Sequence, residues 1–193
     1  MSFSCNDYLN LSQHPKIITA AIEATQRYGV GAGASRLVTG NHPLYTELEE
    51  RLARLKGSEA ACVFGSGYLA NTGIIPALAG PDDLILADEL SHACIHAGAK
   101  LSGAAVYLYR HCDTGHAEAL LNAHRAGKKR ALIATDGVFS MDGDLAPLAA
   151  LSQLALARPP CLVVLDGRRN AASASAIRAA AIRDEALVRA IPA

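Results

Sequence analysis

The sequence predicts an α/β protein in which helices cover both faces of a mainly parallel sheet. From about residue 60 to residue 166, short apolar runs typical of buried strands alternate with longer segments of helical periodicity. Strands separated by helices of this length form βαβ units, and such units build parallel sheets. A three-layer α/β/α architecture is therefore the expected fold.

Two helices are expected ahead of the alternating part, over residues 15–28 and 44–57, separated by the glycine-rich loop GVGAGASRLVTGNHP. The second places leucines on one face and ends at a glycine, which is a common helix stop. The strands predicted after it are AACVF, DLILAD, AAVYLYR, RALIATD and CLVVLD. The helices predicted between them are GYLANTGIIPALA, SHACIHAGAKLSG with Ser91 as its N-cap, TGHAEALLNAHRAG and LAPLAALSQLALA.

The composition excludes several classes of protein. The 193 residues have a formal net charge of zero and are 51% hydrophobic, so no nucleic-acid partner is expected. The start of the chain lacks the pattern of a signal peptide, and no stretch is apolar enough to span a membrane. The cysteines are odd in number and scattered singly, which favours reduced thiols and a cytoplasmic location. They are Cys5, Cys62, Cys94, Cys112 and Cys161.

Three stretches should meet where parallel strands end, the usual ligand site of an open α/β sheet. FGSGYLAN offers backbone N–H groups at a helix start and the Ser66 hydroxyl to an anion such as phosphate, although a purely steric glycine turn is the alternative. His92 follows the next strand. His92 and His96 share a helix face, but no third ligand is evident, so a metal is not expected. Asp166 ends the last strand and is either a pairing group for a ligand cation or an ordinary strand-end residue.

The stretch TDGVFSMDGD, from Thr135 to Asp144, raises the question whether it is only a turn or the rim of an active site. It follows an apolar strand and contains three carboxylates and a serine. The order along the chain is informative: a glycine-serine turn, a histidine, this acidic loop and a strand-end aspartate. That order is the arrangement of fold-type I enzymes that use pyridoxal 5′-phosphate (PLP).

Several motifs together resemble the α-oxoamine synthases, a family of PLP-dependent acyltransferases. They are NDYLNLSQHP, GAGASRLVTGNHPLYTELEERLARLKG, FGSGYLAN, LSHACIHAGAKLSG and TDGVFSMDGDLAPL, which extend from Phe3 to about Asp166. The resemblance is greatest to the biotin-pathway members. It implies the decarboxylative condensation of an amino acid, L-alanine, with an acyl thioester, a pimeloyl thioester, in a homodimer whose active sites lie at the interface.

The resemblance also implies site residues. The two with catalytic roles would be His92, which stacks on the cofactor ring and touches the substrate, and Asp166, which keeps the ring nitrogen protonated. The further cofactor contacts would be Ser66, Gly67, Tyr68, Asp136 and Ser140. Asp136 stands where many members have glutamate. On this interpretation TDGVFSMDGD is an active-site rim.

After Asp166 the sequence departs from the family pattern. It reads DGRRNA, with Arg169 where the family has histidine, and no lysine follows to form the Schiff base. We therefore expect residues 1–166 to be a partial large domain. Residues 167–193 are expected to be an alanine- and arginine-rich tail, which is either the product of a shifted reading frame or a variant terminus. The chain alone is expected to lack synthase activity. The alternatives are another α-oxoamine synthase, of the 5-aminolevulinate synthase, glycine C-acetyltransferase or serine palmitoyltransferase type, or a PLP-binding chain without turnover.

Overall fold

The structure is a computed structural model that describes residue 7 and residues 9–166. The expectations for the tail, residues 167–193, lie outside the described residues. Two compact units divide the chain, the first ending at Val63 and the second beginning at Phe64. No helix in the described part of the chain is long and apolar enough to cross a membrane.

The first unit contains two helices, α1 (Pro15–Tyr28) and α2 (Pro43–Lys56). Each has a proline in its first turn, where the missing N–H costs nothing. Arg36, from the loop between them, forms a bidentate ion pair with Glu49 of α2 at 2.6 and 2.9 Å. That pairing lowers the pKa of the Glu49 carboxyl to about 2. Gly57 adopts the left-handed conformation that ends α2, as the sequence predicts.

Over residues 64–166, the second unit is a four-stranded, fully parallel sheet with helices between the strands. The strands are β1 (Leu84–Asp88), β2 (Ala105–Tyr109), β3 (Ala131–Asp136) and β4 (Cys161–Asp166), in the order β2-β1-β3-β4. The helices are α3 (Gly67–Leu78), α4 (Ala93–Ser102), α5 (Thr114–His124) and α6 (Leu148–Leu156). The predicted α/β fold is confirmed.

The central strands of the sheet are buried on both faces, whereas Val106 and Leu108 of β2 are exposed. Alternate residues of β1 and β3 point to opposite sides, as the period of two in a strand requires. One face packs in a core with residues of α5 and α6, and the other with residues of α3 and α4. The strands β1 and β3 are therefore buried at every position, which explains their continuous apolar sequences.

Two sequence predictions are wrong. Residues 61–64 of the predicted strand AACVF form no strand, and the Val63 N–H donates instead to the Glu49 carboxylate at 2.8 Å. A strand needs a neighbouring strand to complete its hydrogen bonds, and none lies beside this segment in the described part of the chain. Ser91 is not the N-cap of α4. It is buried, its hydroxyl has no partner among the described residues, and His92 takes the cap position.

The strand order places a topological switch point between β1 and β3. From β1 the chain moves to β2 on one side, then crosses back to β3 on the other. At such a point the loops leaving neighbouring strands diverge and open a crevice at the carboxyl ends, the usual ligand position in this class of fold. Asp88, Asp136 and Asp166 end β1, β3 and β4 there.

Candidate functional site at the strand ends

Asp136 and Asp166 form a pair of carboxylates on adjacent strands. They are opposite each other in the register of β3 and β4, and the Gly137 N–H donates to the Asp166 carbonyl at 2.7 Å. Burial raises the pKa of the Asp136 carboxyl, and the nearby charge of Asp166 acts in the same direction. Among the described residues, neither carboxylate has an ion-pair partner. Negative charge is thus concentrated at the Asp136–Asp166 pair, with no ion pair from a described residue to balance it.

His92 connects the start of α4 to this pair. Its backbone N–H donates to Asp136 Oδ1 at 3.1 Å, and its Nδ1 accepts from the Cys94 N–H at 3.2 Å as the helix cap. The backbone of His92 is extended (φ −55°, ψ 143°), and its side chain is exposed. The imidazole is therefore held through Nδ1 while the rest of the ring remains accessible.

Cys94 lies at the centre of the site. Its Sγ is 2.8 Å from His92 Nδ1 and 3.4 Å from Asp166 Oδ2, to which the thiol donates. His92, Cys94 and Asp166 thus bring three potential metal ligands within 4.8 Å of one another. Burial raises the pKa of the Cys94 thiol. Without a metal, these contacts form a hydrogen-bonded network in which the thiol stays protonated.

A close approach of α3 and α4 adds Asn71 to this network. The Asn71 side-chain amide donates to Cys94 Sγ at 3.2 Å. Gly98 permits the approach, because a Cβ at that position would lie 2.7 Å from the Asn71 carbonyl oxygen and 3.1 Å from the Ile75 Cβ. Asn71 is 6% exposed and Cys94 1%. Asn71 and Cys94 are therefore the buried part of the network, and His92 and Asp166 are its more accessible part.

The glycine-serine turn is found at the start of α3, as the sequence predicts. Ser66 is the N-cap, and its Oγ accepts from the Leu69 N–H at 3.2 Å. The backbone N–H groups of Gly67 and Tyr68 have no acceptor among the described residues, as is usual for the first turn of a helix. The Tyr68 side chain is 51% exposed. The turn thus presents free N–H donors at the positive end of the helix.

The acidic loop, residues 137–145 and here called the rim loop, is a small hairpin. Val138 and Leu145 form an antiparallel bridge, and the Phe139 N–H donates to the Asp144 carbonyl at 3.0 Å. Gly143 adopts a positive φ of 76°, which the turn requires and glycine tolerates. Phe139 is buried, whereas Ser140 is exposed and has no hydrogen bond to another described residue.

The structure brings His92, Asp136 and Asp166 into one network and leaves the other predicted residues outside it. Ser66, Gly67, Tyr68 and Ser140 make no hydrogen bond to that network within the described part of the chain. The sequence interpretation considered Cys94 beside His92 and His96 as a metal ligand but set it aside, and it missed Asn71. It placed His92 inside the helix, where residues two apart face different sides; as the cap, His92 instead turns back onto Cys94. The glycine at position 98 was the available signal for close helix packing.

Comparison with known proteins identifies relatives along most of the chain. The family described as aminotransferase class I and II matches residues 1–167. The 8-amino-7-oxononanoate synthase of Methylocella silvestris is 65% identical over 163 residues, or 84% of this chain and 47% of the relative. That of Beijerinckia indica is 67% identical over 154 residues, or 80% of this chain and 40% of the relative. The chain thus spans less than half the length of these relatives.

Solved structures of the same fold are also similar. A serine palmitoyltransferase from S. paucimobilis with a bound PLP–myriocin aldimine has a TM-score of 0.78 and 33% identity, and covers 83% of this chain and 40% of its own. The 8-amino-7-oxononanoate synthase from Francisella tularensis has a TM-score of 0.65 and 30% identity. The match covers 83% of this chain and 43% of the synthase chain. The family match over residues 1–167 and the identity of the curated relatives agree with the site geometry, and the chain belongs to the aminotransferase class I and II family.

Proposed function

We propose that this chain forms the cofactor-binding part of an 8-amino-7-oxononanoate synthase, which condenses L-alanine with a pimeloyl thioester and releases carbon dioxide. The curated relatives that support this bear that name at 65 and 67% identity. The complete activity is proposed for the whole protein, because the chain corresponds to 47 and 40% of those relatives.

The cofactor supported by the family match and the PLP-containing structural neighbours is pyridoxal 5′-phosphate. The observation that carries its fit to this chain is the Asp136–Asp166 pair, two adjacent carboxylates without a cation among the described residues. A protonated ring nitrogen supplies such a cation, and a carboxylate beside it keeps it protonated. The cofactor's chemistry is then to absorb the negative charge that develops at the α-carbon of the amino acid.

The proposed roles of the individual residues follow from their positions. Asp166 pairs with the ring nitrogen, and Cys94 orients its carboxylate through the thiol hydrogen bond. His92, anchored at Nδ1 and exposed, packs against the ring and meets the substrate. The unpaired N–H groups of Gly67 and Tyr68, with the Ser66 hydroxyl, receive the phosphate. Ser140 contributes from the rim loop, and Asp136 orients His92 through its backbone N–H.

A second candidate within the family is a serine palmitoyltransferase type of enzyme. Its structures match with TM-scores of 0.78 and 0.79, above the 0.65 of the synthase from Francisella tularensis. Sequence identity favours the first candidate, at 65 and 67% for curated synthases against 33 and 32% for the two transferase structures. The two are distinguished by the amino acid that the whole protein consumes, L-alanine or L-serine. In either case we propose a cytoplasmic homodimer.

Equilibrium dialysis against pyridoxamine 5′-phosphate tests the cofactor proposal. This form lacks the aldehyde and therefore does not react with the surface lysines of the chain. We expect saturable binding at one site per chain, and weaker binding of pyridoxamine, which lacks the phosphate. A parallel dialysis with Zn²⁺ tests the three converging ligands at His92, Cys94 and Asp166. Zinc bound at one site with no retention of the phosphate would contradict the proposal.

A further inference from the structure

A histidine outside the proposed cofactor site bridges two carboxylates from different parts of the second unit. His111 lies in the loop after β2. Its Nδ1 is 3.0 Å from Oδ1 of Asp88, the last residue of β1, and its Nε2 is 2.6 Å from Oδ2 of Asp144 at the end of the rim loop. We call these three residues the His111 bridge. It joins the rim loop to the carboxyl end of the sheet.

Two carboxylates at these distances favour a proton on each ring nitrogen. A neutral imidazole has one N–H, so that one of the two carboxylates would face a lone pair. The hydrogen bonds to Asp88 and then to Asp144 raise the pKa of His111, which agrees with the doubly protonated form. Histidine is also the side chain whose ordinary pKa lies closest to neutrality.

The other titratable groups around His111 are few. Glu89, just after β1, accepts the His111 backbone N–H at 3.0 Å, and Asp88 and Asp144 face the ring nitrogens. Cys112 Sγ is 3.6 Å from Nε2, and burial raises the pKa of its thiol to about 11. The Phe139 ring packs edge-on against the imidazole with centroids 4.3 Å apart. Of the groups in this cluster, His111 is therefore the one whose ordinary pKa lies nearest to neutral pH.

The rim loop has few other attachments to the sheet. Its first arm is held by Phe139, which is buried with Ala146 and Leu148. Its second arm is held at Asp144 by His111, at the Leu145 carbonyl by a long 3.7 Å contact from Cys112 Sγ, and by its backbone hydrogen bonds to the first arm. Loss of the bond to Asp144 therefore removes the side-chain hydrogen bond that holds this arm at Asp144 and loosens the turn.

We propose that His111 is a positioning residue that fastens the rim loop to the sheet when it is doubly protonated and releases its second arm when it loses a proton. The relevance of this to cofactor binding rests on the proposed function, because it depends on Ser140 in the loop. The ordering of the rim loop by His111 does not depend on the proposed function. His111 is raised in pKa by folding, so its contribution is fully present below the unfolded value, about 6.5, and is lost as pH rises through the folded value.

Hydrogen–deuterium exchange of the full chain without cofactor tests this between pH 6 and 9. Each rate is divided by that of the unfolded chain at the same pH, which removes the intrinsic pH dependence of exchange. The reporter amides are Phe139 and Gly143, which close the hairpin. In the wild type we expect their protection to fall about tenfold across this range, the lower end for the loss of one hydrogen bond to a charged group.

Asp144→Ala and His111→Gln should show the lower protection at every pH. The matched control is Asp142→Ala, which removes the same side chain and charge from the same loop at an exposed position with no hydrogen bond to another described residue; it should behave as the wild type. Protection that is independent of pH in the wild type, or unchanged in Asp144→Ala, would overturn the inference. A failure of the chain to bind pyridoxamine 5′-phosphate would count against the proposed function and leave this measurement decisive.

Discussion

Two groups of acidic residues lie at the same edge of the sheet, and they differ in how their charge is balanced. In the His111 bridge an imidazole lies between two carboxylates, with one ring nitrogen within hydrogen-bond distance of each. In the Asp136–Asp166 pair two carboxylates are adjacent, and only N–H and S–H donors of the described residues reach them. Because a buried charge is costly unless paired, the first group holds a histidine between its carboxylates, although Asp144 Oδ1 is buried without a partner among the described residues, and the second calls for a cation from a ligand. Charge balance thus separates a supporting cluster from a binding site.

Removal of the Asp88 side chain should have the largest effect on the stability of the chain. Its side chain is fully buried, and its two oxygens accept from the N–H groups of Leu90 and Cys112 as well as from His111. Asp88→Ala leaves these donors unpaired and should lower the free energy of unfolding by about 3 kcal/mol, measured by urea denaturation. The matched control is Asp82→Ala, whose ion pair with Lys129 is exposed and contributes little. Equal losses in both variants would remove the distinction between a buried cluster and a surface pair.

Asp166→Asn should affect ligand binding more than stability. The amide keeps the size of the side chain but removes the charge that is proposed to pair with the ring nitrogen. The affinity for pyridoxamine 5′-phosphate should fall about 10- to 100-fold, as expected for one hydrogen bond between charged groups. Dialysis of this variant beside Asp142→Asn measures the effect at constant net charge. Unchanged affinity would place the cofactor elsewhere on the sheet edge.

The sequence predicted the fold well because the period of the apolar residues is local information. The strands β1, β3 and β4 are continuous apolar runs that end in aspartate, and each was found where expected. The segment AACVF failed because strand formation depends on a neighbouring strand that its own residues do not specify.

The site was predicted less completely because its geometry depends on single positions and on distant contacts. A shift of the α4 cap from Ser91 to His92 converts two residues that would face apart into a pair 2.8 Å apart. The partner of His111 is 33 residues away in Asp144, and no local pattern joins them. The strand-end position of Asp166 was predictable, whereas the support from Cys94 and Asn71 required the packing of α3 on α4.

Asp136→Asn should give the smallest change in stability. It is also the most direct test of whether the Asp136 and Asp166 carboxylates repel each other. Burial, and then the charge of Asp166, raise the pKa of the Asp136 carboxyl above its ordinary value. A group whose pKa is raised by folding contributes most below its unfolded pKa, about 3.9, and loses that contribution as pH rises through the folded value. At neutral pH the ionised Asp136 therefore lowers stability.

The asparagine cannot ionise and still accepts the His92 N–H through its Oδ1. The unfolding free energy of Asp136→Asn should exceed that of the wild type at pH 7, by less than the Asp88 effect, and the difference should shrink towards pH 4. Urea denaturation at each pH measures it, with the exposed Asp142→Asn as control. Saturating pyridoxamine 5′-phosphate should reduce the difference, since its ring cation balances the pair in the wild type. A variant less stable than the wild type at pH 7 would mean that the two carboxylates do not repel, and the case for a ligand cation at these strand ends would then fail.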